Sequence, residues 1–121
     1  MKQLINTINE DPTIITLLGQ DHVHLNNTTD TNNCLLIEYH TVGGDRLKKQ
    51  VRLTCTAIAD TMTLAEAIET RLNEIILSFG DNPVNDNILQ SSINGGGVLY
   101  DSARQKNHKI IYYNLTLRGV E

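Results

Sequence analysis

Tryptophan is absent from the 121 residues, phenylalanine occurs once, and aromatic residues make up only 4% of the chain. A stacking platform for nucleic-acid bases, which needs several exposed rings, is therefore excluded, and the core is expected to be mainly aliphatic. Four of the five rings are tyrosines: Tyr39, Tyr100, Tyr112 and Tyr113. Cysteine appears twice, at Cys34 and Cys55, without CxxC spacing. That excludes a disulfide scaffold and the common zinc motifs, and two free, mostly buried thiols are expected. No apolar run nears the roughly 20 residues that cross a bilayer, and the N-terminal residues lack the apolar core of a secretory signal, so a soluble cytoplasmic chain is expected. Basic charge is scarce as well. Ten Lys and Arg against fourteen Asp and Glu leave a net charge of -4, which gives little pull toward nucleic acid or an anionic membrane. Neither is an expected partner.

What remains is ordinary for a globular protein: 40% hydrophobic and 20% charged residues, in a length that suits a single domain over residues 1–121. Leu4, Ile5 and Ile8 recur at helical spacing, and Asp11-Pro12-Thr13 restarts the chain before Ile14, Ile15, Leu17 and Leu18. This predicts a kinked N-terminal helical unit, with Asp11 as the cap of its second piece and Pro12 in the first turn. From Gln20 to Asn33 the Asn and Thr residues compete with regular backbone pairing and offer little apolar surface, which predicts a mobile surface loop. Cys34 to His40 reads as a strand with Leu35, Ile37 and Tyr39 on one face. After a turn at Gly43-Gly44-Asp45, its hairpin partner runs from Leu47 to Ile58, with Val51, Leu53, Cys55 and Ala57 alternating against polar residues.

The main helix is predicted to open at the capping box Thr63-x-x-Glu66 and to stop at Gly80. Leu64, Ala65, Ile68, Leu72, Ile75, Ile76 and Phe79 fall on one stripe, which needs a sheet to cover. Asn87 to Ile93 and Val98 to Tyr100 read as short strands joined by a flexible hairpin tip at Asn94-Gly95-Gly96-Gly97. A polar loop from Asp101 to His108 precedes a last strand, Lys109 to Arg118, with Ile111, Tyr113, Leu115 and Leu117 on one side. The expected fold class is α+β: an antiparallel sheet of about four to five strands packed against one long helix and the kinked N-terminal unit.

Candidate chemistry is thin. His22-x-His24, with His40 or Asp21, is the nearest approach to a metal site, but no third ligand is placed by a motif and solvated loop histidines are the better account. Gly95-Gly96-Gly97 is followed by strand-forming Val98-Leu99-Tyr100, not by the helix and Lys-Ser/Thr pair of a phosphate cradle. No GxSxG elbow is present, and thiols set within apolar alternation have raised pKa values and make poor nucleophiles. Glu66 and Glu69 sit early on the main helix, where the macrodipole favours them. Lys48, Lys49 and Arg52, and separately Arg104, Lys106 and Lys109, form small basic groups suited to solvent or to an acidic face of a neighbouring subunit. No catalytic, metal or cofactor-binding residue is assigned, no cofactor is expected, and the chain is not expected to be an enzyme.

Taken in order, the pieces resemble the tail completion proteins of long-tailed phages, also called tail-to-head joining or tail terminator proteins. The segments that carry the resemblance are Ile14-Ile15-Thr16-Leu17-Leu18-Gly19 after Asp11-Pro12, Leu35-Leu36-Ile37-Glu38-Tyr39, Gln50-Val51-Arg52-Leu53-Thr54-Cys55-Thr56-Ala57 leading into Leu64-Ala65-Glu66-Ala67-Ile68, and Tyr112-Tyr113-Asn114-Leu115-Thr116-Leu117. The long Asn/Thr loop departs from the family's pattern. The resemblance implies a non-enzymatic virion subunit, assembled in the host cytoplasm, that forms a ring, expected to be a hexamer, on the tail tube. Its partners would be copies of itself, the tail tube protein and a head completion or connector protein. Loops outside the expected core supply the candidate interface residues: Asn26, Asn27, Asp30, Gly43, Arg46, Lys48, Asn94 and Gly96. A head-side connector or another minor tail subunit shares this assembly logic, while a small ligand-binding module would instead need a concave pocket with perturbed titratable groups.

Overall fold

The computed structural model describes residues 2–18, 23–25, 33–44, 47–78, 88–102 and 105–118. Two short helices open the chain, α1 (Lys2–Glu10) and α2 (Pro12–Leu18). The break between them is built by Asp11, whose Oδ2 accepts the Ile14 N–H at 3.0 Å while its carbonyl accepts the Ile15 N–H at 3.0 Å. The carboxylate thereby satisfies a donor that the first turn would leave orphaned, the carbonyl accepts the first regular helical bond, and Pro12 has no donor to lose. The kinked unit is as expected, and it buries Leu4, Ile8, Ile14 and Leu18.

Strand β1 (Val23–Leu25) follows, then β2 (Cys34–Gly44), β3 (Lys48–Ala59), helix α3 (Met62–Ser78), β4 (Ile88–Asp101) and β5 (Lys106–Arg118). They form one five-stranded sheet in the order β1-β2-β3-β5-β4. Four strands are antiparallel neighbours, as the alternating pattern requires. The short β1 is parallel to β2, pairing Val23 with Leu35 and Leu25 with Ile37. The sheet is thus mixed rather than purely antiparallel, and part of the stretch expected to be a loop is a strand.

On the helix side, β3 presents Val51, Leu53, Cys55, Ala57 and Ala59, and β5 presents Ile111, Tyr113, Leu115 and Leu117; all are buried. Helix α3 lays Ala65, Ile68, Leu72, Ile75 and Ile76 over them, so five of the seven stripe positions are buried. Leu64 is partly buried against the same cluster, and Phe79 lies outside the described residues. The cap of α3 differs from expectation. Thr61, not Thr63, accepts the Leu64 N–H through Oγ1 at 3.2 Å, and its carbonyl receives Ala65 N–H. At the other end Ser91 Oγ donates to the Ile76 carbonyl at 2.9 Å, giving a terminal acceptor of the helix a partner from β4.

The Asn94-Gly95-Gly96-Gly97 run is not a hairpin tip. β4 passes through it as one strand, and the ladder with β5 shifts between Ile93, opposite Tyr113, and Gly96, opposite Ile111. Two residues on β4 thus span one on β5, which is a β-bulge. Gly95 supplies the positive φ of 97° that the bulge needs, and a Cβ on Gly96 would collide with the Ile110 carbonyl. β5 begins at Lys106, earlier than the expected Lys109, and lies inside the sheet between β3 and β4.

Candidate assembly surfaces

The helical layer covers only part of the sheet. One row of ladder partners crosses it as Tyr39, Leu53, Tyr113 and Ile93, all facing the same side. Leu53 and Tyr113, on the two inner strands, are fully buried, whereas Tyr39 is 44% and Ile93 49% exposed. Along β2, burial stops at Ile37, and residues 38–44 are exposed together with residues 47–50. The β2–β3 hairpin therefore projects past the core. It carries Tyr39, Val42 and Leu47 in water, with Lys48, Lys49 and Arg52 beside them.

Arg52 lies over the Tyr112 ring at 5.9 Å from its centroid, a cation–π contact on the sheet face opposite the helices. A bulge between Thr41 and Gly43 bends the arm, and Gly44 holds a φ of 129° where an added Cβ would approach the Lys48 carbonyl. At the diagonally opposite corner, Val98, Leu99 and Tyr100 on β4 are 55% to 58% exposed. Val98 and Tyr100 oppose Lys109 and Asn107 on the helix side, while Leu99 opposes His108 on the other. Both faces of this edge strand are thus apolar, and no charged residue occurs from Ile88 to Tyr100.

Two polar ties hold the frame that positions these surfaces. Arg71 on α3 donates from Nε to Asp11 Oδ2 at 3.0 Å and from a terminal nitrogen to Oδ1 at 2.6 Å, a bidentate pair. The Arg71 hydrogen bond, more than the α2 amide bonds, holds the buried Asp11 carboxyl below its usual range. At the end of the sheet near Tyr100, Asn33 Oδ1 accepts from the Asp60 N–H at 3.0 Å and from Lys106 Nζ at 3.2 Å. Lys106 is also ion-paired with Asp60, and that bond chiefly lowers the Asp60 pKa. Asn107 Nδ2 donates to the Asp60 carbonyl at 3.1 Å, so three strand ends are knotted together. Lys106 is buried in this knot rather than part of a free basic face, and Lys109 pairs with Glu69 at 3.7 Å.

Of the interface candidates, Gly43 and Lys48 lie on the exposed arm, and Asn94 and Gly96 lie in the β4 bulge across the sheet. The structure does not bring the two pairs together, and Gly96 has a local steric role. Asn26, Asn27, Asp30 and Arg46 lie outside the described residues. The sequence reading missed the exposed apolar residues of β4; the signals available were the uncharged run and the adjacent Val98-Leu99-Tyr100, which cannot all face one core.

No group of three His, Cys, Asp or Glu side chains comes together among the described residues as metal ligands. His22 falls outside those residues, and His40 stands exposed on the arm. Cys34 and Cys55 are buried and not disulfide-bonded, and burial pushes the Cys55 thiol up to about 12. No helix among the described residues is long and apolar enough to cross a membrane.

A scan against protein-family models finds none that matches, and a search of curated proteins also returns no match. Among solved structures the chain resembles one in the virion of a native gene transfer agent particle, with a TM-score of 0.74 over 98% of this chain and 93% of that one. Identity between the two is 8%, so what they share is the fold.

Proposed function

We propose that this chain is a non-enzymatic structural subunit of a virion, which forms a ring on the end of a phage tail tube and provides the surface to which the head is joined. The observation that carries the reading is the likeness, over nearly the whole of both chains, to a chain of a virion particle. The exposed apolar arm and edge strand support it, because such surfaces on a small folded domain mark places where other chains bind. A hexamer is the expected ring, the tail tube protein and a head completion protein are the expected neighbours, and assembly takes place in the host cytoplasm. The test is electron microscopy of tails and heads from particles lacking this chain, with purified protein added back. Decoration of the tail end, followed by head joining, supports the reading; absence of decoration on either structure rejects it. A head-side connector is the second reading, and the likeness to a chain of a virion particle supports it equally. The same micrographs separate the two, since the protein would then decorate heads. A small ligand-binding module would instead reveal itself in a thermal-shift screen by a metabolite that raises the melting temperature.

A further inference from the structure

The two bare apolar regions cannot meet within one molecule. One is the β2–β3 arm, with Tyr39, Val42 and Leu47; the other is the β4 edge, with Ile93, Val98, Leu99 and Tyr100. They lie on opposite edges of one sheet; Tyr39 and Ile93 share one row, while Val42 and Leu47 lie toward one end and Val98, Leu99 and Tyr100 toward the other. On the arm side β1 covers β2 only as far as Ile37, so among the described residues 38–44 form an edge as open as β4.

Their charges also differ. The arm carries Lys48, Lys49 and Arg52 against Glu38 alone among the described residues. Among the described residues, the end of the sheet that holds Tyr100 carries Asp60, Glu66, Glu69 and Asp101 against Lys106 and Lys109, and since the two lysines pair with Asp60 and Glu69 the excess there is two negative charges. An occupant of β4 must cover apolar side chains on both faces of the strand at once. Another strand that continues the sheet does so; a helix laid on one face does not.

We infer that the partner of the β4 edge is the β2–β3 arm of a second copy of this chain, added head to tail so that the sheet of one subunit runs on into the next. Each subunit gives its basic arm to one neighbour and its apolar edge, at the acidic end of the sheet, to the other. A contact of this heterologous kind repeats until it closes a ring or extends as a filament. A two-fold contact of β4 with β4 would bury that edge but leave Tyr39, Val42 and Leu47 in water. The inference rests on the ring-forming reading above and specifies its interface.

The test uses two full-length double variants, Tyr39→Lys with Val42→Lys on the arm and Val98→Lys with Leu99→Lys on the edge, so that the two altered surfaces repel each other. All four positions are exposed, so both variants should melt within a few degrees of wild type, as roughly expected for surface changes; circular dichroism checks this. By native mass spectrometry across concentration, wild type assembles, while each variant alone stays monomeric at concentrations at least ~10-fold above the wild-type midpoint. Mixed in equal amounts, the two variants form a one-to-one pair and nothing larger, because one intact arm still meets one intact edge. The inference is overturned if wild type stays monomeric throughout, if the arm variant alone assembles like wild type, or if the mixture stays monomeric. Adding the same proteins to tails separates this from the broader reading. Wild type and variants decorating equally sinks the interface alone, whereas wild type decorating neither tails nor, in the same assay, heads sinks the virion role.

Discussion

Leu53 and Tyr39 are ladder partners on adjacent strands and face the same side of the sheet, yet one is sealed in the core and the other is nearly half in water. Tyr113 and Ile93 repeat the contrast on β5 and β4. Strand alternation decides which side a residue faces. Whether that side is covered depends on the layer above it, and α3 with the N-terminal unit covers β3 and β5 but only the start of β2, to Ile37, and the start of β4, at Ile88. The molecule thus has a sealed centre that maintains the fold and bare flanks available for assembly.

Substitutions should split along this line. Leu72→Ala under the helix stripe should cost about 2–5 kcal/mol in urea or thermal unfolding, as a buried leucine cut to alanine leaves a cavity. An effect below ~1 kcal/mol would mean that the centre is less sealed than its burial indicates. Next in size is Asp11→Asn, which keeps an N-cap oxygen for α2 but breaks the charged bidentate pair with Arg71, at about 2–3 kcal/mol near neutral pH. The Asp11 carboxyl has a folded pKa below its unfolded value, near 3.9, so its stabilisation is present above that value and is lost as pH falls through the folded pKa. The wild-type advantage over Asp11→Asn should therefore be full above about pH 5 and shrink in acid. An advantage that grew in acid would contradict the pair.

A smaller contrast divides neighbouring glycines of β4. Gly96→Ala should cost about 1–3 kcal/mol because its Cβ meets the Ile110 carbonyl, whereas Gly97→Ala, with nothing near, should fall within ~0.5 kcal/mol of wild type. Equal costs for the two would show that the bulge is not where the register shift puts it. Smallest of all, Tyr39→Ala should change stability by no more than ~0.5 kcal/mol, and loss of assembly without loss of folding is its expected mark.

The centre was legible in the sequence because it is periodic. The alternation from Val51 to Ala57 and the stripe from Ala65 to Ile76 are local patterns, and Asp11 before Pro12 is a local cap. The flanks were less so. Val23–Leu25 becomes a strand only by pairing with Leu35–Ile37, a parallel match that leaves no periodic mark in three residues. The triple glycine offers the same turn signal for a hairpin tip and for a bulge; the continuous pairing of β4 with β5 decides between them. Arg71 meets Asp11 from 60 residues away, and Lys106 meets Asp60 from 46, distances at which spacing carries no information. Tyr39 was placed on the correct face, but its exposure depends on where a helix ends rather than on its own strand.

Strand β4 uses fourteen residues, Ile88–Asp101, to span the twelve of β5 from Lys106 to Leu117, and the two extra residues sit at irregularities next to Leu89 and at Asn94–Gly95. Length changes along this strand should therefore be tolerated very unevenly. Losing one residue at either irregularity straightens the strand and leaves Val98 and Tyr100 on the side they now occupy. Losing one between Val98 and Asp101 turns the remainder over. Related chains that differ in length here are expected to vary around Gly95 and to keep the distance from Val98 to the turn constant.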